Sequence, residues 1–402
     1  MILKNDKKSV RKILTTQGWL EINRTVLRPI DEESAKKLFE ETQALCVVPM
    51  DIALDIDTLP FKMTRAMMCE VAFWAQNQTS YKSAETILKK INGEGVAAAT
   101  IRLVTDFIGK IVFDADTLEA NERYSQLVDM TYTKDKNGIL YIQMDGATLN
   151  TRVKDEKGST WRENKLGMVF SSDNITTRTN KKGEKISIIR KKEYTSYVGS
   201  VDEFKKYLFA CAVRNGYGKY KITVILGDGA PWIRSMCEEL FPDAVQILDF
   251  YHLCENIYEY AKAIFKNDEA QYKPWAESLI ERFKNSETAE AVEMIKMHKH
   301  RKLPKNVVNL YTYVQNNINK IDYKTYIENG YYIGSGAIES GNKVVLQKRM
   351  KLAGMRWNDY NAQYLLTLRT KFESGLWIES VVKKIACLKF TNDVNTNSGC
   401  GK

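Results

Sequence analysis

Apolar positions recur at helical spacing over two long tracts of the chain, and at strand spacing over the stretch between them. Residues 1 to about 60 mix short apolar runs with charge. Pro49 and Pro60 bracket Met50 to Leu59, which reads as an irregular, largely extended segment. From Lys62 the pattern turns helical, and Met63 to Gln78 carries Met67, Met68, Val71, Ala72 and Trp74 on one face. Ser80 is a natural N-terminal boundary for the next helix, Tyr81 to Ile91, with Ala84, Ile87, Leu88 and Ile91 on one face. After Asn92-Gly93-Glu94-Gly95 a further helix runs from Val96 to Ile111, with Ile101, Val104, Phe107 and Ile108 inward. Two helices joined by a glycine-containing turn outline a helix-turn-helix whose second helix offers Thr100, Arg102 and Lys110 outward. A plain antiparallel helical hairpin with no nucleic acid fits the same pattern.

Beyond one more helix, Asp114 to Met130, the period switches. Ile139 to Met144 is an apolar run bounded by Asn137-Gly138 and Asp145-Gly146, the signature of a buried strand. Lys165 to Ser171 and Ile186 to Val198 read as two more, separated by the polar stretch Asp173 to Lys185. Then come a helix (Val201 to Asn215), a strand (Ile222 to Leu226), a helix (Trp232 to Leu240) and a strand (Val245 to Leu248). Three strands, helix, strand, helix, strand is the order of the ribonuclease H-like α/β fold, an antiparallel meander extended by parallel strands. In that order the first and fourth strands are neighbours. No strand-like run interrupts Leu253 to Asn329, and a last helical region runs from Ser335 to about Leu388. The expected organisation is a mixed N-terminal segment (1–60), a helical, helix-turn-helix DNA-binding region (61–130), a core (131–252), an all-helical insertion (253–330), the final helical part of the core (331–390) and a frayed tail (391–402).

Composition narrows the class only slightly. With 44% hydrophobic residues over 402 positions, dominant disorder is excluded and there is material for more than one core. No apolar run is long enough to span a bilayer, and the basic N-terminus is not followed by an apolar stretch of the signal-peptide kind, so a cytoplasmic protein is expected. The seven cysteines are scattered singly with no C-x-x-C pair, which offers neither a disulfide framework nor a zinc finger. Net charge is +10, compatible with an anionic partner and equally with an ordinary surface.

Position matters more than number for the acids. Asp145 closes the first strand and Asp228, in Gly227-Asp228-Gly229, closes the fourth, so the two carboxylates should converge at the sheet centre. Either aspartate alone is what a turn after a strand commonly carries. Glu339, in Gly334-Ser335-Gly336-Ala337-Ile338-Glu339, sits early on a helix, where a glutamate is unremarkable by itself. Together, two strand-end aspartates and a helical glutamate can cage two Mg²⁺ or Mn²⁺ ions, which prefer oxygen ligands and clamp an in-line phosphoryl transfer. Asp249 and His252 follow the last strand and are further candidates for the catalytic set. His252 could position a phosphate, shuttle a proton or simply satisfy a hydrogen bond, and hard-ion preferences argue against it as a ligand. The run His298 to Lys302 reads as a solvated or phosphate-facing surface.

These segments, with Gln347-Lys348-Arg349-Met350-Lys351 and Gly354-Met355-Arg356-Trp357, resemble the ISKra group of bacterial insertion-sequence transposases, and Asp249-x-x-His252 is similar to the C/D-x-x-H element of the wider Mutator-like transposases. The resemblance covers about 140 to 360 and implies a DDE enzyme with a ribonuclease H-like core. Asp145, Asp228 and Glu339 would hold two Mg²⁺ or Mn²⁺ ions, with water cutting the element end and the freed 3′-hydroxyl joining it to target DNA. Lys343, Lys348, Arg349, Lys351 and Arg356 could hold the DNA backbone, with Trp357 stacking an unpaired base; a solvated helix face is the plain alternative. Arg178, Lys181 and Lys182 belong to a second basic cluster, and end recognition falls to residues 81–111, Arg102 and Lys110 among them. By analogy the protein acts at the nucleoid as a dimer or larger complex on double-stranded terminal repeats and target DNA. Two rivals share these features: a ribonuclease H-like nuclease without strand transfer, and a non-catalytic DNA-binding descendant.

Overall fold

A computed structural model of the chain describes residues 2–93, 95–179, 183, 185–299 and 301–388. It divides into two compact units, Met1–Phe113 with Leu376–Lys402, and Asp114–Gly375. No helix among the described residues is long and apolar enough to cross a membrane.

In the first unit β1 (Leu3–Thr15) and β2 (Gly18–Pro29) form an antiparallel hairpin, followed by α1 (Glu32–Thr42) and α2 (Pro49–Ala53). The extended reading of the segment after Pro49 fails at α2, where the proline takes the first helical turn and its fixed φ favours entry into a helix. Asp51 on α2 is buried beneath the hairpin and pairs with Arg11 at 2.7 Å and with Arg24, so the ribbon is tied down by a charged clasp as well as by Ile13, Leu14 and Val26. Next come α3 (Arg65–Asn77) and α4 (Tyr81–Asn92), each started by a side-chain cap, Thr64 and Ser80. Gly93, at φ 72°, ends α4 in the left-handed region. The helix that follows, α5 (Ala98–Ser125), runs 28 residues where two helices were expected; nothing between Ile111 and Ser125 is glycine or proline, so nothing breaks it. Phe107 meets Phe61 edge-on, and Phe73 of α3 packs on Trp377, next to the turns Ile378–Val382 and Lys383–Cys387.

The second unit is mixed α/β. Its sheet contains β3 (Lys136–Asn150), β4 (Trp161–Ser171), β7 (Glu193–Val198), β8 (Tyr220–Gly227) and β9 (Val245–Leu248) in the order β7-β4-β3-β8-β9. The first three strands are antiparallel, and β8 and β9 join in parallel. The polar stretch between β4 and β7 holds a separate ribbon, β5 (Ile175–Thr179) with β6 (Lys185–Ile189), so the third strand of the meander begins only at Glu193. Side-chain alternation decides the layers. Leu140, Ile142 and Met144 point to one face, where they pack with α6 (Val201–Arg214) and α7 (Pro231–Leu240) through Phe204, Leu208, Met236 and Leu240. After β9 the chain runs through α8 (Phe250–Ile264), α9 (Glu269–Lys284), α10 (Thr288–Lys296), α11 (Leu310–Asn316) and α12 (Tyr323–Glu328), the helical tract expected.

The opposite face is covered by α13 (Gly336–Asn342), which continues as a π-helical turn, Lys343–Gln347, into α14 (Lys348–Met350), and by α15 (Asp359–Glu373). A π turn leaves carbonyls out of the regular ladder. Arg369 of α15 donates to the carbonyls of Val344 and Val345 and also pairs with Glu373, which accounts for a guanidinium 1% exposed. Burial pulls its pKa down to about 10. At the sheet edge Gln363 accepts from the Val198 amide and donates to the Ser196 carbonyl, so part of the free side of β7 is occupied by α15.

Candidate active site

The site grows from one face of β3. Tyr141, Gln143 and Asp145 alternate onto the face away from α6 and α7, and each meets α13 or the segment leading into it. Tyr332 donates its backbone N–H to Tyr141 Oη at 3.4 Å, Ile338 donates to Gln143 Oε1 at 3.2 Å, and the Asn342 side chain donates to Asp145 Oδ2 at 2.6 Å. These contacts lay α13 along the strand. Gly341 permits the approach, since a Cβ there would stand 2.7 Å from the Tyr194 ring. Asp145 does not close its strand as expected: β3 runs on to Asn150, paired with β4, while β8 stops at Gly227. The pairing of Gln143 with Leu226 brings Asp145 on β3 level with Asp228, the residue just past the end of the neighbouring β8. Asp228 then turns the chain, its Oδ1 accepting the Ala230 amide at 2.8 Å, with Gly229 at φ 83°, where a side chain is strained.

Asp249 is fully buried and caps α8. Its Oδ1 accepts from the amides of Tyr251 (2.6 Å) and His252 (3.3 Å), its Oδ2 from Ser335 (2.8 Å), and His252 Nδ1 lies 3.3 Å from Oδ2. Ser335 is the residue before α13, so this one carboxylate fastens the start of the Glu339 helix to the end of β9. Ligand atoms of Asp249, His252 and Glu339 all lie within 4.8 Å of one another, the only such set among the described residues; Asp145, Asp228 and Glu339 do not meet that criterion together. With three amides on its oxygens, Asp249 has little left for an ion and reads as the fastening of the site.

Burial raises the pKa of Asp145, opposed by the Asn342 amide, by the Gly146 N–H and by the charge of His252; the charge of Asp228 adds to the rise. His252 is pushed up to about 9, chiefly by Asp249, against burial. No Lys or Arg pairs with Asp145, Asp228, Asp249 or Glu339 among the described residues. Acids that lack a Lys or Arg partner and have only His252 to balance them, beside an Asn342 Oδ1 that is buried and unbonded, are a donor set suited to hard divalent cations.

Elsewhere the candidates separate. Lys343, Lys348, Lys351 and Arg356 are exposed, as is Arg178 on β5. Arg349 and Trp357 differ from the expectation: they are 2% and 8% exposed, the guanidinium lies over the indole at 5.2 Å, and Trp357 donates to the Met350 carbonyl. The π turn ahead of Arg349 shifts the helical phase that a regular helix would have given it. Arg102 pairs with Asp106 at 3.1 Å on the exposed side of α5, and Lys110 is exposed further along it. Lys181, Lys182, His300 and the tail 391–402 lie outside the described residues. His298, expected on a solvated or phosphate-facing surface, is half-buried and packs edge-on against Phe265 and Trp275, and burial lowers its pKa. Sequence reasoning missed Asn342, Ser335 and Gln143. Only Asn342 left a signal, three residues beyond Glu339 and so one turn along the same helix face.

The model of one protein family matches residues 49–384, most of the chain. The chain belongs to UPF0236, an uncharacterised protein family. No curated protein matches this UPF0236 chain. Among solved structures it is similar to the Drosophila P element transposase strand transfer complex at 11% identity, over 88% of this chain and 89% of that one, with a TM-score of 0.25. A score that low does not define a shared fold.

Proposed function

We propose that this UPF0236 protein is a DNA transposase of the DDE type, with a ribonuclease H-like core and motifs that resemble those of the ISKra group. The observation that supports the reading is the level placement of Asp145 on β3 and Asp228 just past the end of the parallel neighbour β8, beside a helix bearing Glu339 that is bonded to β3 through Ile338 and Asn342. Asp145, Asp228 and Glu339 would hold two Mg²⁺ or Mn²⁺ ions. When bound, such ions supply the charge that activates water or a 3′-hydroxyl and stabilises the leaving oxygen.

The chain's own residues then have distinct tasks. Asn342 holds the Asp145 carboxylate in one orientation, and Asp249 fixes the α13 start. His252, a cation up to about pH 9, faces the acids and suits the contact of a scissile phosphate. Exposed Lys343, Lys348, Lys351 and Arg356 suit the DNA backbone, and α4 with α5 is the segment we assign to end recognition, through a helix-turn-helix.

The test is cleavage and joining of a DNA fragment carrying the native flanks of the coding region, in Mn²⁺. Asp145→Asn or Asp228→Asn should abolish both reactions and leave DNA binding intact. Full activity in Asp228→Asn would sink the proposal, and cleavage without a joined product would favour the nuclease that lacks strand transfer.

A further inference from the structure

We propose that Tyr251, seated on Gly334, is a stacking platform for an unpaired nucleobase beside the acidic cluster. The proposal rests on the DNA-cutting reading above and names a contact that reading leaves open.

The first turn of α8 sends three consecutive side chains to three destinations. Phe250 goes inward to the Tyr323 ring, 4.9 Å between centroids, and His252 turns to Asp249. Tyr251 between them is 60% exposed, although its own amide is held at 2.6 Å by Asp249. Alongside runs the segment entering α13. Phe250 donates to the Ile333 carbonyl at 2.9 Å and Ser335 donates to Asp249 at 2.8 Å, which leaves Gly334 against the edge of the tyrosine ring. A Cβ on Gly334 would stand 2.5 Å from Tyr251 Cε2 and 2.7 Å from Cδ2, so that edge of the ring lies close against bare backbone.

The result is an aromatic surface open to solvent, next to His252 in the chain and against the segment that enters the Glu339 helix. An exposed aromatic ring gains most from a flat apolar partner, and a nucleobase offers one whatever its identity. Trp357, which the sequence suggested for this contact, is enclosed. A ring at this position can take the base next to a cut phosphate only if that base is unpaired, because a base still in the duplex has both faces occupied by its neighbours.

The experiment uses the full chain, Ca²⁺, and a duplex oligonucleotide with a single-stranded tail whose first unpaired base is 2-aminopurine, against the same probe with an abasic position there. The unmodified chain and Tyr251→Phe should bind the base-containing tail about fivefold to tenfold tighter than the abasic one and quench the 2-aminopurine, in keeping with alanine-substitution effects at stacked bases. Tyr251→Ala should lose both the preference and the quenching, with its affinity for blunt duplex unchanged. Retention of the preference in Tyr251→Ala overturns the platform. If that retention accompanies loss of cleavage in Asp228→Asn, the platform fails alone; a chain that neither binds nor cuts any of these DNAs overturns both proposals.

Discussion

The side-chain amide of Asn342 donates to Asp145 Oδ2 at 2.6 Å, although 197 residues separate the two in sequence. The bond reaches a charged acceptor from a side chain 3% exposed, so it belongs to the stronger kind. Asn342→Ala should lower stability by about 1.5–3 kcal/mol, read as a fall in the urea midpoint at unchanged m-value. Asn342→Asp should cost more, because it sets two carboxyls together and one of them must take a proton. Equal stability of Asn342→Asp and the unmodified chain at pH 8 would count against this arrangement.

Asp249 fastens β9, α8 and the entry to α13 with three amide hydrogen bonds. Asp249→Ala leaves three donors without their acceptor, one of them Ser335, and should destabilise by about 3 kcal/mol, in the range found for breaking buried charged contacts. Asp249→Asn should be milder, since one oxygen still accepts. Calorimetric melting of both variants checks the order; a milder alanine variant would contradict it.

His252 has a pKa of about 9, above its ordinary 6.5, because the Asp249 carboxylate favours the charged ring. A raised pKa means that the folded chain holds the proton more tightly than the unfolded one, so the stabilisation is complete below about pH 6.5 and is lost as pH rises through about 9. In metal-free buffer the stability advantage of the unmodified chain over His252→Gln should therefore shrink across that interval. An advantage that grows with pH has the wrong sign.

Gly341 and Gly336 lie on the same short helix and should respond oppositely to alanine. At Gly341 the added methyl meets Tyr194 at 2.7 Å and Leu166 at 3.4 Å, whereas at Gly336 nothing stands within 4 Å. Gly341→Ala should cost about 1–3 kcal/mol through overpacking and weaken DNA cleavage by tilting Glu339 and Asn342. Gly336→Ala should be neutral or stabilise by about 0.4–1 kcal/mol. Thermal melts and cleavage rates of the pair decide it.

The strand order was legible because the period changes from helical to alternating near Ile139 and back after Leu248, and because short connections leave few ways to order the sheet. The turn at Asp228 was legible for a local reason, the glycine that follows it. Asp145 was singled out for a reason that proved incomplete: Gly146 looked like a strand end, yet β4 pairs across it. What stayed hidden depends on contacts between distant segments. No local pattern tells Arg349 from its exposed neighbour Lys348, since a π turn resets the phase between them and the strand. The hairpin at the start of the chain was equally hidden, its strands carrying charge at positions where a half-buried strand would alternate cleanly.

The fastening of Asp249 to Ser335 joins residues 86 apart, with five helices between them. Contacts of such separation form after the loop between them has been gathered, and synthesis delivers the chain from its N-terminus. A nascent chain still on the ribosome can thus hold the sheet with Asp145 and Asp228 before α13 has emerged. The helix that carries Glu339 and Asn342 reaches β3 only when the C-terminal helices leave the tunnel, so the order of translation itself delays the bond between Asn342 and Asp145.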